Sequence, residues 1–176
     1  MDKVAGSGND EYYTPFYAVK PIFKYIEKAV IWCPFDTEDS YFVKYARSLG
    51  HEVIATHIKD GKDFFKLKPK RHVDYIISNP PYSLKTEVLE RLFELNIPFA
   101  MLLGVVGIFE SDKRFNMFKD HEFEMMYFNR RIAYLTDYKA EKCAASPPYS
   151  SVYLCSRILP KQIVFEEVDK KEIHMK

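Results

Sequence analysis

The stretch Asp74-Tyr75-Ile76-Ile77-Ser78-Asn79-Pro80-Pro81-Tyr82-Ser83 runs from a short apolar segment directly into two prolines. Residues 74–78 (DYIIS) have the continuous apolar character of a strand covered on both faces. Proline fixes φ and removes an N–H donor, and the residue before it is pushed into extended geometry. The backbone leaving the strand is thereby stiffened. The carbonyls of Ser78 to Pro80 and the Asn79 amide oxygen become a fixed set of acceptors. Such a set suits a planar NH2 group, which offers two protons, and Tyr82 adds a ring for stacking on the system that bears the amine.

Outward from this segment, strands and helices alternate. Ala29 to Cys33 is a buried-type strand. Residues 38–49 have helical spacing and end at Gly50, His51 to Ile58 reads as a second strand, and Lys85 to Leu95 as a helix. Pro98 to Leu103 is a further strand, followed by a helix over 112–119 and a strand over 122–128. Thr14-Pro15 reads as the cap of an early helix with an apolar stripe of Phe16, Val19, Phe23 and Ile26. The alternation predicts an α/β fold: a mainly parallel sheet with helices on both faces. Arg131 to Leu135 and Ser151 to Ser156 read as a C-terminal antiparallel hairpin at a sheet edge. Residues 1–10 are expected to be a flexible leader, 11–165 one domain, and 166–176 a charged, fraying tail.

The 176 residues suffice for one domain and one core. With 47% hydrophobic and 29% charged residues, extensive disorder, collagen-like repeats and a coiled coil are excluded. Aromatic residues reach 16%, which serves either a dense core or surfaces on which bases stack. A net charge of +1 gives little non-specific attraction to nucleic acid, so a nucleic-acid role needs a local basic patch. Cys33, Cys143 and Cys155 lack metal-ligand spacing and point to a reducing cytoplasm. No signal-like or membrane-spanning segment is apparent, so no membrane partner is expected. In open α/β sheets ligands bind beyond the C-terminal strand ends. That rule collects Cys33 to Asp36, Thr56-His57, Ser78 to Tyr82, Gly104 and Asn129 to Arg131 at one face, with the basic run Lys66 to Arg71 at the other.

Asn79-Pro80-Pro81-Tyr82 resembles the catalytic motif of class I S-adenosylmethionine-dependent amino-methyltransferases, mainly the DNA adenine-N6 enzymes. Glu11-Tyr12-Tyr13-Thr14-Pro15 is similar to the segment before the first strand in the phage-type members. Arg131-Ile132-Ala133-Tyr134-Leu135 resembles their late Arg-Ile-x-aromatic segment, with Ser146-Pro147-Pro148-Tyr149-Ser150-Ser151 after it. The likeness covers about residues 11–157 and implies a Rossmann-like methyltransferase domain using S-adenosylmethionine on an amino nitrogen, adenine N6 in DNA first. It casts Asn79, Pro80 and Tyr82 as catalytic, with Asn79 also at the cofactor. Tyr13, Thr14 and Pro15 would line the methionine end. After the first strand Pro34-Phe35 is kept, but the family's glycines are replaced by Asp36-Thr37-Glu38-Asp39. Cys33, Phe35 and Asp36 are the cofactor candidates there, with Glu38 or Asp39 as alternatives to Asp36 at the cofactor amine. His57, or Asp60, stands where an acidic residue often holds the ribose, and Asp63 and Phe64 resemble the pair around the adenine. Phe64 can equally be core. Tyr82 and Tyr134 would hold the target base, while Arg130 and Arg131 would meet phosphate or form structural ion pairs. Two other readings stand beside this one: an RNA-adenine or protein-glutamine methyltransferase, and a methyltransferase-like fold kept as a nucleic-acid-binding module. The domain fills the chain, so target selection is expected from short loops, from a second copy in a homodimer, or to be slack. His51, His72, His121 and His174 have no partner at metal spacing.

Overall fold

The computed structural model describes residues 12–176; the expected leader at 1–10 and Glu11 lie outside the described residues. Strands β1 (Val30–Cys33), β2 (Glu52–Ala55), β3 (Tyr75–Ser78), β4 (Phe99–Gly104), β5 (Glu124–Phe128), β6 (Ser151–Ser156) and β7 (Ile163–Glu166) form one sheet. Their order is β2-β1-β3-β4-β6-β5-β7. β6 alone runs against its neighbours β4 and β5, and the other pairings are parallel. Helices α1 (Phe16–Val19), α2 (Tyr41–Ser48), α3 (Lys85–Leu95) and α4 (Asp112–Asp120) complete the regular structure with short 3-10 turns. Successive residues of β4 and of β6 are all buried, so both faces of the sheet centre are covered. Among the described residues no helix is long and apolar enough to cross a membrane.

Local chemistry explains the elements. Ser40 caps α2 by accepting the Phe42 N–H, and Tyr41, Phe42, Val43 and Ala46 form its buried face. Gly50 takes a φ of 85° after that helix, a conformation costly for residues with a Cβ. β1 is held at its start by Asp74, whose carboxylate accepts the Val30 N–H at 2.8 Å. That bond holds the Asp74 carboxyl below its usual range. At the start of β5, buried Glu124 accepts the N–H groups of Arg157, Ile158 and Leu159 at 3.0, 2.8 and 2.9 Å. One carboxylate thus fixes the turn out of β6, where Arg157 sits at φ 59°.

Four expectations need correction. Arg131 to Leu135 is no strand of a hairpin: beyond one bridge from Leu135 to Tyr13 it pairs with nothing in the sheet. β6 is already flanked on both sides by β4 and β5, which leaves no edge for it. For the same reason β6 is interior, and the edge on that side is β7, which the sequence reading did not anticipate. The early helix is one α turn continued as a 3-10 turn at Lys20–Tyr25, because Pro21 cannot continue the α ladder. Thr14 does not cap it; Pro15 holds the cap position with no side-chain bond. The tail is docked rather than frayed: the Phe16 and Tyr17 N–H groups donate to the Ile173 and Glu172 carbonyls, both at 2.9 Å. Val168 is buried, and His174 bridges the Tyr41 hydroxyl (2.5 Å) and the Ala140 carbonyl (2.7 Å).

Candidate active site

The chain leaves β1 toward β2 on one side and returns to β3 on the other, so the C-terminal ends of β1 and β3 border a topological switch point. Open α/β sheets bind ligands in that crevice. Cys33 to Asp36 and Ser78 to Tyr82 meet there, joined by the Phe35 N–H donating to Ser78 Oγ at 3.2 Å.

Asn79 is the first residue past β3. Its Nδ2 donates to Thr14 Oγ1 at 3.0 Å and, more weakly, to the Tyr12 carbonyl at 3.4 Å. These two acceptors set the amide's orientation and turn Oδ1 the other way. Oδ1 is buried, and among the described residues it has no hydrogen-bond partner. A buried acceptor without a donor costs free energy of about 1–3 kcal/mol, and an incoming N–H group relieves it. Thr14 is buried directly behind the amide, and Tyr13 carries the backbone bond to Leu135 at 2.8 Å. The segments around 12–15, 79–82 and 131–135 are therefore brought together.

Tyr82 lies among tyrosines. Its hydroxyl meets that of Tyr134 at 2.5 Å, and Tyr134 continues to Ser151 Oγ at 2.8 Å. Burial pushes both phenols up from their ordinary value: Tyr82 further by its neighbour's hydroxyl, Tyr134 against the opposing pull of its bonds to Ser151 and Tyr82. Both are neutral at physiological pH. Tyr12 packs on Tyr82 at 5.3 Å and on Tyr134 at 4.8 Å between ring centroids, and Tyr149 stands 5.9 Å from Tyr82. The Tyr149 hydroxyl donates to that of Tyr12 at 3.1 Å. Tyr82 is only 7% exposed, so its ring is not an open stacking surface; Tyr12 and Tyr149 occupy that space. Neither was chosen as a site residue from sequence. A signal existed for Tyr149, since Pro147-Pro148-Tyr149 repeats Pro80-Pro81-Tyr82.

The turn after β1 is held without glycine. Asp36 is buried and takes the hydroxyls of Ser40 (2.5 Å) and Ser78, while its N–H reaches the Thr56 carbonyl at 3.2 Å. Burial raises its carboxyl to about 6 against the pull of the two hydroxyls. Both oxygens are thus engaged with the chain itself. Cys33 is fully buried, its thiol is pushed up by burial, and its carbonyl accepts the Thr56 N–H at 3.1 Å. Phe35 is half-buried and rests on Phe64 at 4.9 Å. Phe64 is 2% exposed and also meets Trp32 at 5.5 Å, which makes it a core ring under Phe35. Asp63 Oδ1 accepts the Phe65 N–H at 3.0 Å, and Oδ2 stands 4.0 Å from the Lys66 ammonium. His57 turns back on its own loop and accepts the Lys59 N–H at 3.1 Å; Asp60 is exposed. Arg130 and Arg131 are exposed beyond the end of β5, at the same end of the sheet. Among the described residues no group of three or more His, Cys, Asp or Glu converges as a metal site.

No protein-family model matches the chain, and no curated protein matches it. Among solved structures, the modification subunit of a putative type I restriction enzyme from Vibrio vulnificus is similar to it, with a TM-score of 0.56 and 10% identity. The match covers 93% of this chain and 48% of that one, so the chain spans about half the length of its structural neighbour. What the two share is the fold, which in this chain is a mixed α/β architecture around one seven-stranded sheet.

Proposed function

We propose that the chain is an S-adenosylmethionine-dependent methyltransferase that acts on an amino nitrogen, with adenine N6 in DNA as its substrate. On this reading the sheet is a Rossmann-like one with helices on both faces. The observation that carries it is the buried Oδ1 of Asn79 at the switch point of the sheet, to which no described residue donates while Nδ2 is held by Thr14. Support also comes from the fold shared with a restriction-system modification subunit.

The surroundings fit a cationic cofactor that carries no phosphate. The turn from Cys33 to Asp36 carries no glycine, Phe35 is half-buried, and Asp63 precedes Phe64, on which Phe35 rests. Asp63, Phe35 and the backbone of Cys33 and Tyr13 to Pro15 would hold S-adenosylmethionine; Asp36 and Phe64 support them from beneath. When bound, that cofactor supplies an activated methyl group on a sulfonium sulfur. The chain's own part is positional. Asn79 Oδ1 and the Pro80 carbonyl accept the two protons of the target amine and fix its lone pair in direction, which is worth more than acid–base help for an already activated donor. Tyr82 takes the face of the base once Tyr12 and Tyr149 move aside, and a duplex substrate must give up its stacking to reach it. Arg130 and Arg131 supply the phosphate contacts.

The test is mass spectrometry of nucleosides from cells expressing the protein or Asn79→Ala. N6-methyladenine should accumulate with the former and fall at least about 100-fold with the latter, a loss typical of removing one positioned polar group. Binding of S-adenosylmethionine, read by calorimetry, should persist in the variant. Equal methylation in both would overturn the proposal, and methylated RNA or glutamine in place of DNA would reassign the substrate. Tyr82→Ala should lower turnover more than Tyr82→Phe, since stacking needs the ring.

A further inference from the structure

The outer edge of the sheet is β7, paired to β5 on one side only. Its parallel ladder settles which backbone groups are spoken for. Met125 N–H donates to the Gln162 carbonyl at 2.7 Å and Asn129 N–H to the Glu166 carbonyl at 3.2 Å, so the even-numbered residues face inward. Ile163 and Phe165 therefore turn their N–H and C=O groups outward, and no described residue bonds to them. Their side chains lie on the open face: Ile163 is 47% exposed and Phe165 72%, with Tyr127 (51%) beside Phe165 at 5.8 Å. An unpaired, apolar strand edge is a template for pairing with another chain.

The sequence of this edge, Lys161-Gln162-Ile163-Val164-Phe165-Glu166-Glu167, is complementary to itself when reversed. We infer that β7 pairs antiparallel with β7 of a second copy, the two-fold axis passing through Val164. In that register Ile163 of each copy lies opposite Phe165 of the other. Both residues have outward-facing backbone groups, as a hydrogen-bonded antiparallel pair requires. Lys161 falls opposite Glu167 at both ends, and Gln162 opposite Glu166, whose charge is already engaged by Lys24 at 2.7 Å. Shifting the register by two residues places Lys161 opposite Phe165, or Glu167 opposite Ile163, and both charge pairs are lost. The match of charge, apolar side chains and backbone direction at one register selects a second copy over a foreign strand. The interface is independent of the methyl-transfer reading. A ladder this short makes a dimer that dissociates on dilution.

Sedimentation velocity on the full chain over a range of concentrations at low salt tests this. The wild type should show a concentration-dependent monomer–dimer equilibrium. Phe165→Pro removes an outward N–H and spares the β5 ladder, so it should be monomeric with an unchanged far-ultraviolet spectrum. Lys161→Glu should raise the dissociation constant about tenfold by turning two attractions into repulsions, and Lys161→Glu/Glu167→Lys should restore it. A wild type that is monomeric at every concentration, or a dimer equally tight in Phe165→Pro and Lys161→Glu, would overturn the inference.

Discussion

Asp36 stands in the first turn after β1 with the hydroxyls of Ser40 and Ser78 on its two oxygens, enclosed from water. Its carboxyl ionises at about 6 in the fold against 3.8 when exposed. Between those values the folded chain binds more protons than the unfolded one, so stability falls as pH rises from about 4 to 6 and is level above that. The decline attributable to this group is roughly 3 kcal/mol. Asp36→Asn keeps the shape and removes the charge. Chemical denaturation at pH 4.5 and pH 7 should show a smaller loss of stability with rising pH in the variant than in the wild type. An unchanged pH dependence would mean that the carboxylate is solvated in the native state. The residue was quoted from sequence for its charge; its use as the staple of a glycine-free turn depends on Ser78, which lies on another strand.

The elements differ in how legible they were. β3 and its two prolines declare themselves, because a continuous apolar run ending in Asn-Pro-Pro has few ways to lie other than as a buried strand with a stiff exit. Gly104, at the end of β4, was expected at the ligand-binding edge, but its purpose comes from tertiary packing. A Cβ built there would stand 2.9 Å from the Tyr149 ring and 3.2 Å from the Tyr82 ring. The tyrosine cluster draws on four separate segments around Tyr12, Tyr82, Tyr134 and Tyr149, and periodicity reports nothing about such convergence. Likewise, Ile132 and Tyr134 are buried in an apolar run that resembles a strand, yet β6, its expected partner, is already flanked by β4 and β5. The packing at Gly104 yields a prediction for these elements together. Gly104→Ala should destabilise the fold by about 1–3 kcal/mol through overpacking. Tyr149→Ala should relieve most of that in the double variant, giving a coupling of at least about 1 kcal/mol in a denaturation cycle. Strict additivity would show that Tyr149 is not held against β4.

At the scale of the whole molecule, the C-terminal segment and the candidate site are linked through α1. The first N–H groups of a helix need partners, and a Thr before a Pro is an ordinary source of one. Here Thr14 is occupied with Asn79, and the Phe16 and Tyr17 N–H groups are satisfied by the carbonyls of Ile173 and Glu172 instead. Lys20 adds an ion pair to Glu172 at 3.0 Å, half-exposed and worth little by itself. The charged composition of 166–176 hid this, because the docking runs through backbone carbonyls and His174 rather than through an apolar stripe. Removing residues 171–176 should therefore cost more than a surface truncation. Losing two backbone bonds and the two His174 bonds at about 1 kcal/mol each predicts a loss of roughly 2–4 kcal/mol, or about 5–15 °C in Tm for a chain of this size. The site should feel it as well. With its partners gone, the start of α1 competes for the Thr14 hydroxyl, and the Asn79 amide loses the acceptor that orients it. On the proposed function, methyl transfer by the truncated chain, measured below its lowered Tm, should fall severalfold through turnover rather than through substrate binding. A truncated chain that melts and turns over like the full one would show that α1 finds its cap elsewhere and that Thr14 holds Asn79 unaided.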